Sequence, residues 1–111
     1  MENKKIESCI AACEVCVDTC ETCSKENNGK AGMEISVKLC IACKDACNEL
    51  INASKNNAKN LNELCKKCED ACIACATECE KHSDMQHCEE CAEACNKCAA
   101  ECKAMLAVAS N

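Results

Sequence analysis

The spacing of the cysteines constrains this chain more than any other feature of its sequence. The 111 residues include 18 cysteines, which form four groups. Within each group the steps alternate between three and four residues, and an average period of 3.5 keeps side chains on one face of an α-helix. Each group therefore predicts one helix that carries a stripe of sulfur. The stripes comprise Cys9, Cys13, Cys16, Cys20 and Cys23; Cys40, Cys43 and Cys47; Cys65, Cys68, Cys72, Cys75 and Cys79; and Cys88, Cys91, Cys95, Cys98 and Cys102.

The segments between the stripes contain the residues that end helices. Residues 24–32 (SKENNGKAG) predict the first loop, and residues 54–60 (SKNNAKN) predict the second. Asn60 and Ser83 are each followed three residues later by Glu or Gln, which is the spacing of a capping box. Short loops make consecutive helices antiparallel, so we expect an all-α, up-down-up-down four-helix bundle with a cysteine-lined core. One domain, 1–111, would hold helices at about 3–24, 33–54, 60–82 and 84–108.

The composition leaves cysteine to fill much of that core. The chain has no Phe, Trp, Tyr or Pro and only two Gly. One buried cysteine can act as a small hydrophobic residue. Cysteine at nearly every core position, however, would fill a bundle less well than Leu, Ile or Val. The sequence therefore predicts that something besides side chains occupies the interior.

The thiols are expected to be reduced. Short cysteine-rich chains are usually secreted disulfide scaffolds, which are rich in turns and irregular spacing. Here the N-terminal residues MENKKIES contain no apolar signal region, and no stretch approaches the roughly 18 apolar residues of a membrane span. We expect a cytoplasmic location, in which free thiols can act as ligands.

The charge pattern narrows the choice of partners. The formal net charge is −6, and acidic and basic residues are interleaved along the chain. Such a surface has no basic patch that would bind nucleic acid. A chain without aromatic residues also lacks side chains that stack on bases or line a membrane interface. We expect neither nucleic acid nor membrane as a partner, whereas a small cationic cargo is compatible with the charge.

Thiolates arranged as a tube favour soft metal ions. Cu(I) is satisfied by two or three sulfurs and can bridge an i,i+4 pair or two helices. If every thiolate bridged two ions and every ion took two sulfurs, the capacity would be on the order of 18 Cu(I) per chain. One cation for each thiolate would also cancel the charge in a low-dielectric interior.

Three other functions remain open from the residues alone. Zinc requires four ligands, but the second stripe has only three cysteines, so several four-sulfur layers would be incomplete. An iron–sulfur cluster is possible by ligand type, although the CxxCxxC run does not occur. Thiol redox chemistry needs one exposed, polarised pair, which long stripes do not single out. No other catalytic constellation stands out, and we do not expect an enzyme.

The two ends of the predicted bundle differ in chemistry. Extending the stripes brings four apolar residues to one end, Ile6, Leu50, Leu61 and Met105. The other end would hold Cys23, Met33 or Ser36, His82 and Asp84, with Met85 and His87 nearby. Imidazole and thioether groups can receive Cu(I) and pass it inward by ligand exchange, so the possible ligands at this mouth are His82, His87, Met33 and Met85. On the second helix, Ile35, Val37 and Leu39 suggest an oligomer interface.

The stripes CIAACEVCVDTCETC at 9–23, CIACKDAC at 40–47, CKKCEDACIACATEC at 65–79 and CEECAEACNKCAAEC at 88–102 resemble the copper storage protein family. The resemblance covers nearly the whole chain, and the lack of an apolar signal region matches the cytosolic bacterial branch of the family. It implies a four-helix bundle, commonly a homotetramer, that holds many Cu(I) ions through cysteine thiolates. We also expect copper donor or acceptor proteins as partners. Each of the 18 cysteines matches the pattern, while the second stripe is short and its site geometry could differ.

Overall fold

Four α-helices make up the computed structural model, which describes residues 3–56 and 59–109. They are α1 (Asn3–Asn27), α2 (Glu34–Lys55), α3 (Leu61–Glu80) and α4 (Gln86–Ala109). Each helix packs against two others, so that α1 contacts α2 and α4 while α3 contacts α2 and α4. The result is a bundle of 44 × 20 × 17 Å. The predicted all-α four-helix fold is confirmed.

The helices run alternately up and down. Cys9, near the start of α1, has its Sγ 3.8 Å from that of Cys102, near the end of α4. At the opposite end of α1, the Sγ of Cys23 lies 3.8 Å from the Sγ of Cys88 at the start of α4. α1 and α4 are therefore antiparallel, and their cysteine stripes face each other along the full length of both.

The first helix is three residues longer than the sequence predicts. Asn27 follows Cys23 by four residues, so it continues the stripe, and its side chain is only 1 % exposed. That burial stabilises an extra turn of helix inside a segment whose polar composition predicts a loop. The chain then turns through Gly29 and Gly32, whose φ angles of 83° and 84° lie in the left-handed region that favours glycine.

Both predicted capping boxes are wrong. Asn60 directly precedes α3 but makes no side-chain capping hydrogen bond. Ser83 lies in the turn between Glu80 and Gln86, where α3 ends two residues earlier and α4 begins two residues later than expected. The first turn of α4 is closed by the backbone, because the N–H groups of residues 88 and 89 both donate to the carbonyl oxygen of Met85.

The apolar end of the bundle is closed by the side chains that the stripes predict there. Leu50 and Met105 are each 1 % exposed, while Ile6 and Leu61 are partly buried and pack against the core. Together they cover the last cysteines with hydrocarbon. Among the described residues, this end of the core is therefore covered by apolar side chains.

We expect Leu50→Ala to destabilise the metal-free protein by about 2–4 kcal/mol, because it removes a buried side chain and leaves a cavity. Urea unfolding followed by circular dichroism under reducing conditions measures this change, since no aromatic residue supplies a fluorescence signal. Ile73→Ala is the matched control: Ile73 is 47 % exposed, and its truncation should cost less than about 0.5 kcal/mol. Equal losses in the two variants would contradict the described packing.

Few large apolar side chains are exposed on the described surface. Ile35 is 63 % exposed, Val37 and Leu39 are half-buried, and Leu39 packs against the core. The three residues therefore do not share one environment. Among the described residues, no helix combines the length and apolar character needed to cross a membrane.

Candidate metal centre

The core of the bundle consists mainly of free cysteine thiols. All 18 are buried and none forms a disulfide. Cys9 is 1 % exposed and the other cysteines are fully buried. The heptad spacing thus places every predicted ligand on the inner face of its helix, where each sulfur is shielded from water.

Five sulfur pairs connect α1 with α4 like the rungs of a ladder. Their Sγ–Sγ distances lie between 3.5 and 3.8 Å. The sequence allows this pairing, because the separations between successive cysteines of α1, taken from first to last, equal those of α4 taken from last to first. The rungs are Cys9–Cys102, Cys13–Cys98, Cys16–Cys95, Cys20–Cys91 and Cys23–Cys88.

Three rungs connect α2 with α3 in the same way. They are Cys40–Cys75 at 3.6 Å, Cys43–Cys72 at 3.5 Å and Cys47–Cys68 at 3.6 Å. The stripe of α3 is longer than that of α2 at both ends. Continuing the register places Ser36 opposite Cys79 and Leu50 opposite Cys65. The Cys65 thiol instead donates to the carbonyl oxygen of Cys102 at 3.2 Å.

The two ladders are close enough to form one array. Sulfurs of α1 approach those of α2 and α3, and sulfurs of α2 approach those of α4, at 3.5–4.0 Å. Contacts of this kind join helices that are diagonal in the bundle as well as neighbours. They are Cys16–Cys43, Cys13–Cys68 and Cys40–Cys91.

Several groups of four sulfurs lie within 4.8 Å of one another and could hold a metal ion. Such groups exist although α2 has only three cysteines, because some take two sulfurs from one helix. The cysteine spacing does not predict these groups, since it determines which face of a helix carries the sulfurs but not the axial position of that helix relative to its neighbours. Three groups share no cysteine: Cys13, Cys68, Cys98 and Cys102; Cys16, Cys43, Cys47 and Cys72; and Cys20, Cys40, Cys75 and Cys91.

Burial and mutual hydrogen bonds shift the pKa values of the thiols in opposite directions. Removal from water disfavours the thiolate at each shifted site, whereas a sulfur that accepts S–H hydrogen bonds is stabilised as the anion. Hydrogen bonds from Cys102 and Cys13 help to lower the pKa of Cys98 to about 7. The pKa of Cys20 is raised, chiefly by its hydrogen bond with Cys16 and further by burial. Because the metal ligand is the thiolate, binding of a cation would release the protons of these thiols.

A buried asparagine closes the polar end of the sulfur array. The Asn27 Nδ2 donates to Cys23 Sγ at 3.3 Å and to Cys88 Sγ at 3.5 Å. Its Oδ1 lies 2.8 Å from Nε2 of the half-buried His87. Sequence reasoning missed Asn27, although it lies four residues beyond Cys23 and hence on the stripe.

The four residues predicted as possible mouth ligands occupy different environments. Met33 is 5 % exposed and belongs to the core, and Met85 is half-buried against it. The Nε2 of His82 lies 3.2 Å from a carboxylate oxygen of Glu78. His87 is connected to the sulfurs of Cys23 and Cys88 through Asn27. All four lie at the polar end, but no described contact gathers them into one cluster.

The chain is similar to known proteins in sequence and in fold. The family profile "Copper storage protein" matches residues 2–107. The "Uncharacterized cysteine-rich protein YhjQ" of Bacillus subtilis (strain 168) is 36 % identical over 79 residues, which are 68 % of this chain and 73 % of that protein.

Two solved structures have the same fold. "Cu(I)-bound Copper Storage Protein BsCsp3" is 34 % identical with a TM-score of 0.85, over 92 % of this chain and 98 % of that one. Apo-Csp3 from Bacillus subtilis is 36 % identical with a TM-score of 0.84, over 90 % and 97 % of the two chains. Because the family profile spans nearly the whole chain and these relatives share both the fold and more than 30 % of the sequence, this chain belongs to the copper storage protein family.

Proposed function

We propose that this chain stores many Cu(I) ions, on the order of one per cysteine, inside its bundle. The observation that carries the proposal is the continuous array of buried thiols on all four helices, in which most sulfurs lie 3.5–4.0 Å from another sulfur. The relative with the matching fold is described as Cu(I)-bound. We assign the ligand role to all 18 cysteines.

The chemistry of the array suits Cu(I) better than harder cations. Thiolate is a soft ligand, and a Cu(I) ion is satisfied by two or three sulfurs from different helices. A thiolate that bridges two ions lets neighbouring sites share ligands, as the shared contacts of Cys16 with Cys20, Cys43 and Cys95 allow. Each bound cation replaces a thiol proton, so the loaded interior remains close to neutral.

Zinc sequestration is the second candidate, because groups of four sulfurs can form a tetrahedron. Three such groups without a common cysteine would use 12 thiols and leave the other six cysteines without a role. Each Zn(Cys)₄ site would also keep a charge of about −2 in the core. Zinc therefore predicts about three ions per chain, whereas Cu(I) bridged by every thiolate predicts several times more.

An anaerobic titration of the reduced, metal-free chain separates the two candidates. Cu(I) is added against a competing chromophoric chelator, with Zn(II) in parallel, and protein is quantified by amino-acid analysis because Trp and Tyr are absent. We expect tight uptake of well over ten Cu(I) per chain, with fewer or weaker zinc ions. Saturation at about three ions, or preference for zinc, would replace copper storage with zinc sequestration.

Copper is proposed to enter at the polar end. The opposite end is covered by Leu50, Met105 and their apolar neighbours. At the polar end, Met33 and Met85 offer thioether sulfur and His82 and His87 offer imidazole nitrogen, which are ligands for Cu(I). His87 is the best placed of the four, because Asn27 connects it to the first pair of sulfurs.

The remaining proposals concern the setting of the protein. We place it in the cytoplasm, where thiols stay reduced. It acts by binding rather than catalysis, and copper donor or acceptor proteins load and unload it. A homo-oligomer, a tetramer by family resemblance, would cover Ile35, which is 63 % exposed. Light scattering on the wild type and on Ile35→Glu tests this assembly: a monomeric wild type would contradict it.

A further inference from the structure

Ser36 occupies a cysteine-stripe position of α2 without being a cysteine. It precedes Cys40 by four residues and is 1 % exposed. Within residues 3–56 and 59–109, its Oγ is the only fully buried side-chain nitrogen or oxygen atom for which the structure gives no hydrogen-bond partner. A buried hydroxyl without a hydrogen-bond partner is unfavourable. We therefore expect the Ser36 hydroxyl to find an acceptor when the core is loaded with metal.

The register of α2 and α3 identifies that acceptor. Cys43 pairs with Cys72, and one step along both stripes Cys40 pairs with Cys75. One further step of four residues on each helix places Ser36 opposite Cys79. The Sγ of Cys79 lies within 4.8 Å of the sulfurs of Cys23, Cys40 and Cys91, so this sulfur belongs to the array.

We propose that Ser36 donates a hydrogen bond to the Cys79 thiolate of the copper-loaded core and makes Cys79 the sulfur from which Cu(I) exchanges first. A free thiolate carries more negative charge than a copper-bound one, so a hydrogen bond stabilises the free form more. Ser36 therefore lowers the free energy required to break the Cu–S bond at Cys79. This inference rests on the proposed copper storage.

The exchange step involves no redox change. The Cu–S bond of Cys79 breaks, the electron pair stays on sulfur as thiolate, and an incoming ligand takes the vacant position on Cu(I). The Ser36 hydroxyl stabilises the released Cys79 thiolate by a hydrogen bond until the thiolate binds another ion or a proton. At the other end of α3, the register places the hydrocarbon side chain of Leu50 opposite Cys65, which gives that sulfur no such donor. Exchange is thus assigned to the polar end.

Release kinetics test the assignment. Fully loaded wild type, Ser36→Ala, Ser36→Thr and Ser36→Cys are mixed anaerobically with an excess of chromophoric Cu(I) chelator. We expect a fast phase of about one ion in the wild type, and its rate should fall about tenfold in Ser36→Ala, which is the lower end of the range for one hydrogen bond to a charged group. Ser36→Thr keeps the hydroxyl and should keep the fast phase. Ser36→Cys should lose it and bind about one more ion.

The outcomes separate this proposal from the storage function. Circular dichroism first establishes that each variant is folded. If Ser36→Ala binds the wild-type number of ions and releases them at the wild-type rate, Ser36 only fills space, and copper storage stands. A slow Ser36→Thr variant would also overturn the hydrogen bond, since its hydroxyl is present. If the wild-type protein instead saturates at a few Cu(I) ions, the proposed storage function itself is wrong.

Discussion

Replacement of Cys16, Cys20, Cys43 and Cys95 by alanine lowers the Cu(I) capacity of the chain by more than the number of thiols removed. The sulfurs of these residues lie within 4.8 Å of one another near the middle of the bundle. If each thiolate bridges two ions, four lost sulfurs remove about eight Cu–S bonds, and ions left with a single sulfur are not retained. We expect a fall from on the order of 18 ions to about 10–13, measured by anaerobic titration and by the mass of the intact complex.

A second quadruple variant, with alanine at Cys9, Cys13, Cys98 and Cys102, is the matched control. It removes the same number of thiols, but from two rungs at the apolar end of the α1–α4 ladder. Loss at an end shortens the array without dividing it, so the capacity should fall by only about four to six ions. Equal losses of about four ions, one for each thiol removed, would show that the thiols act as independent sites. A loss of only one or two ions from the central variant would indicate isolated tetrahedral sites instead, because its cysteines fall in at most two of the three separate four-sulfur groups.

The cysteine positions alone predict the number of helices and the inner face of each. Every stripe residue from Cys9 to Cys102 is buried, because a period of 3.5 residues leaves a helix only one face on which to place them. The antiparallel order follows from the short loops between consecutive helices. These features depend on local geometry, which the sequence specifies directly.

The axial positions of the helices relative to one another are harder to predict from the sequence. The four-sulfur groups arise from contacts such as Cys13–Cys68 and Cys40–Cys91 between diagonal helices, whose distances depend on how closely the bundle packs. Asn27 was missed for a related reason. Its polar neighbours predict a loop, whereas its burial against Cys23 extends α1, so tertiary packing outweighs local propensity.

Copper loading is expected to raise the unfolding temperature of the chain above about 90 °C. Each ion that binds only the folded state at 100 times its dissociation constant adds about 2.7 kcal/mol of stability. Ten such ions would add more than the roughly 5–15 kcal/mol that stabilises a typical domain. The metal-free chain has a core of small thiols and lacks aromatic residues, so it should unfold at a much lower temperature.

Thermal circular dichroism of metal-free and fully loaded protein, both reduced and anaerobic, measures the difference. An unfolded chain with 18 thiols also binds Cu(I), which reduces the gain below the ideal sum. The gain persists because the folded array brings sulfurs of different helices, such as Cys16 and Cys43, to 3.5 Å and lets one ion bridge them. Removal of copper by excess chelator should restore the metal-free curve. If the loaded protein melts within a few degrees of the metal-free form, the folded chain binds Cu(I) no more tightly than the unfolded chain does. The ions would then not be held between the helices.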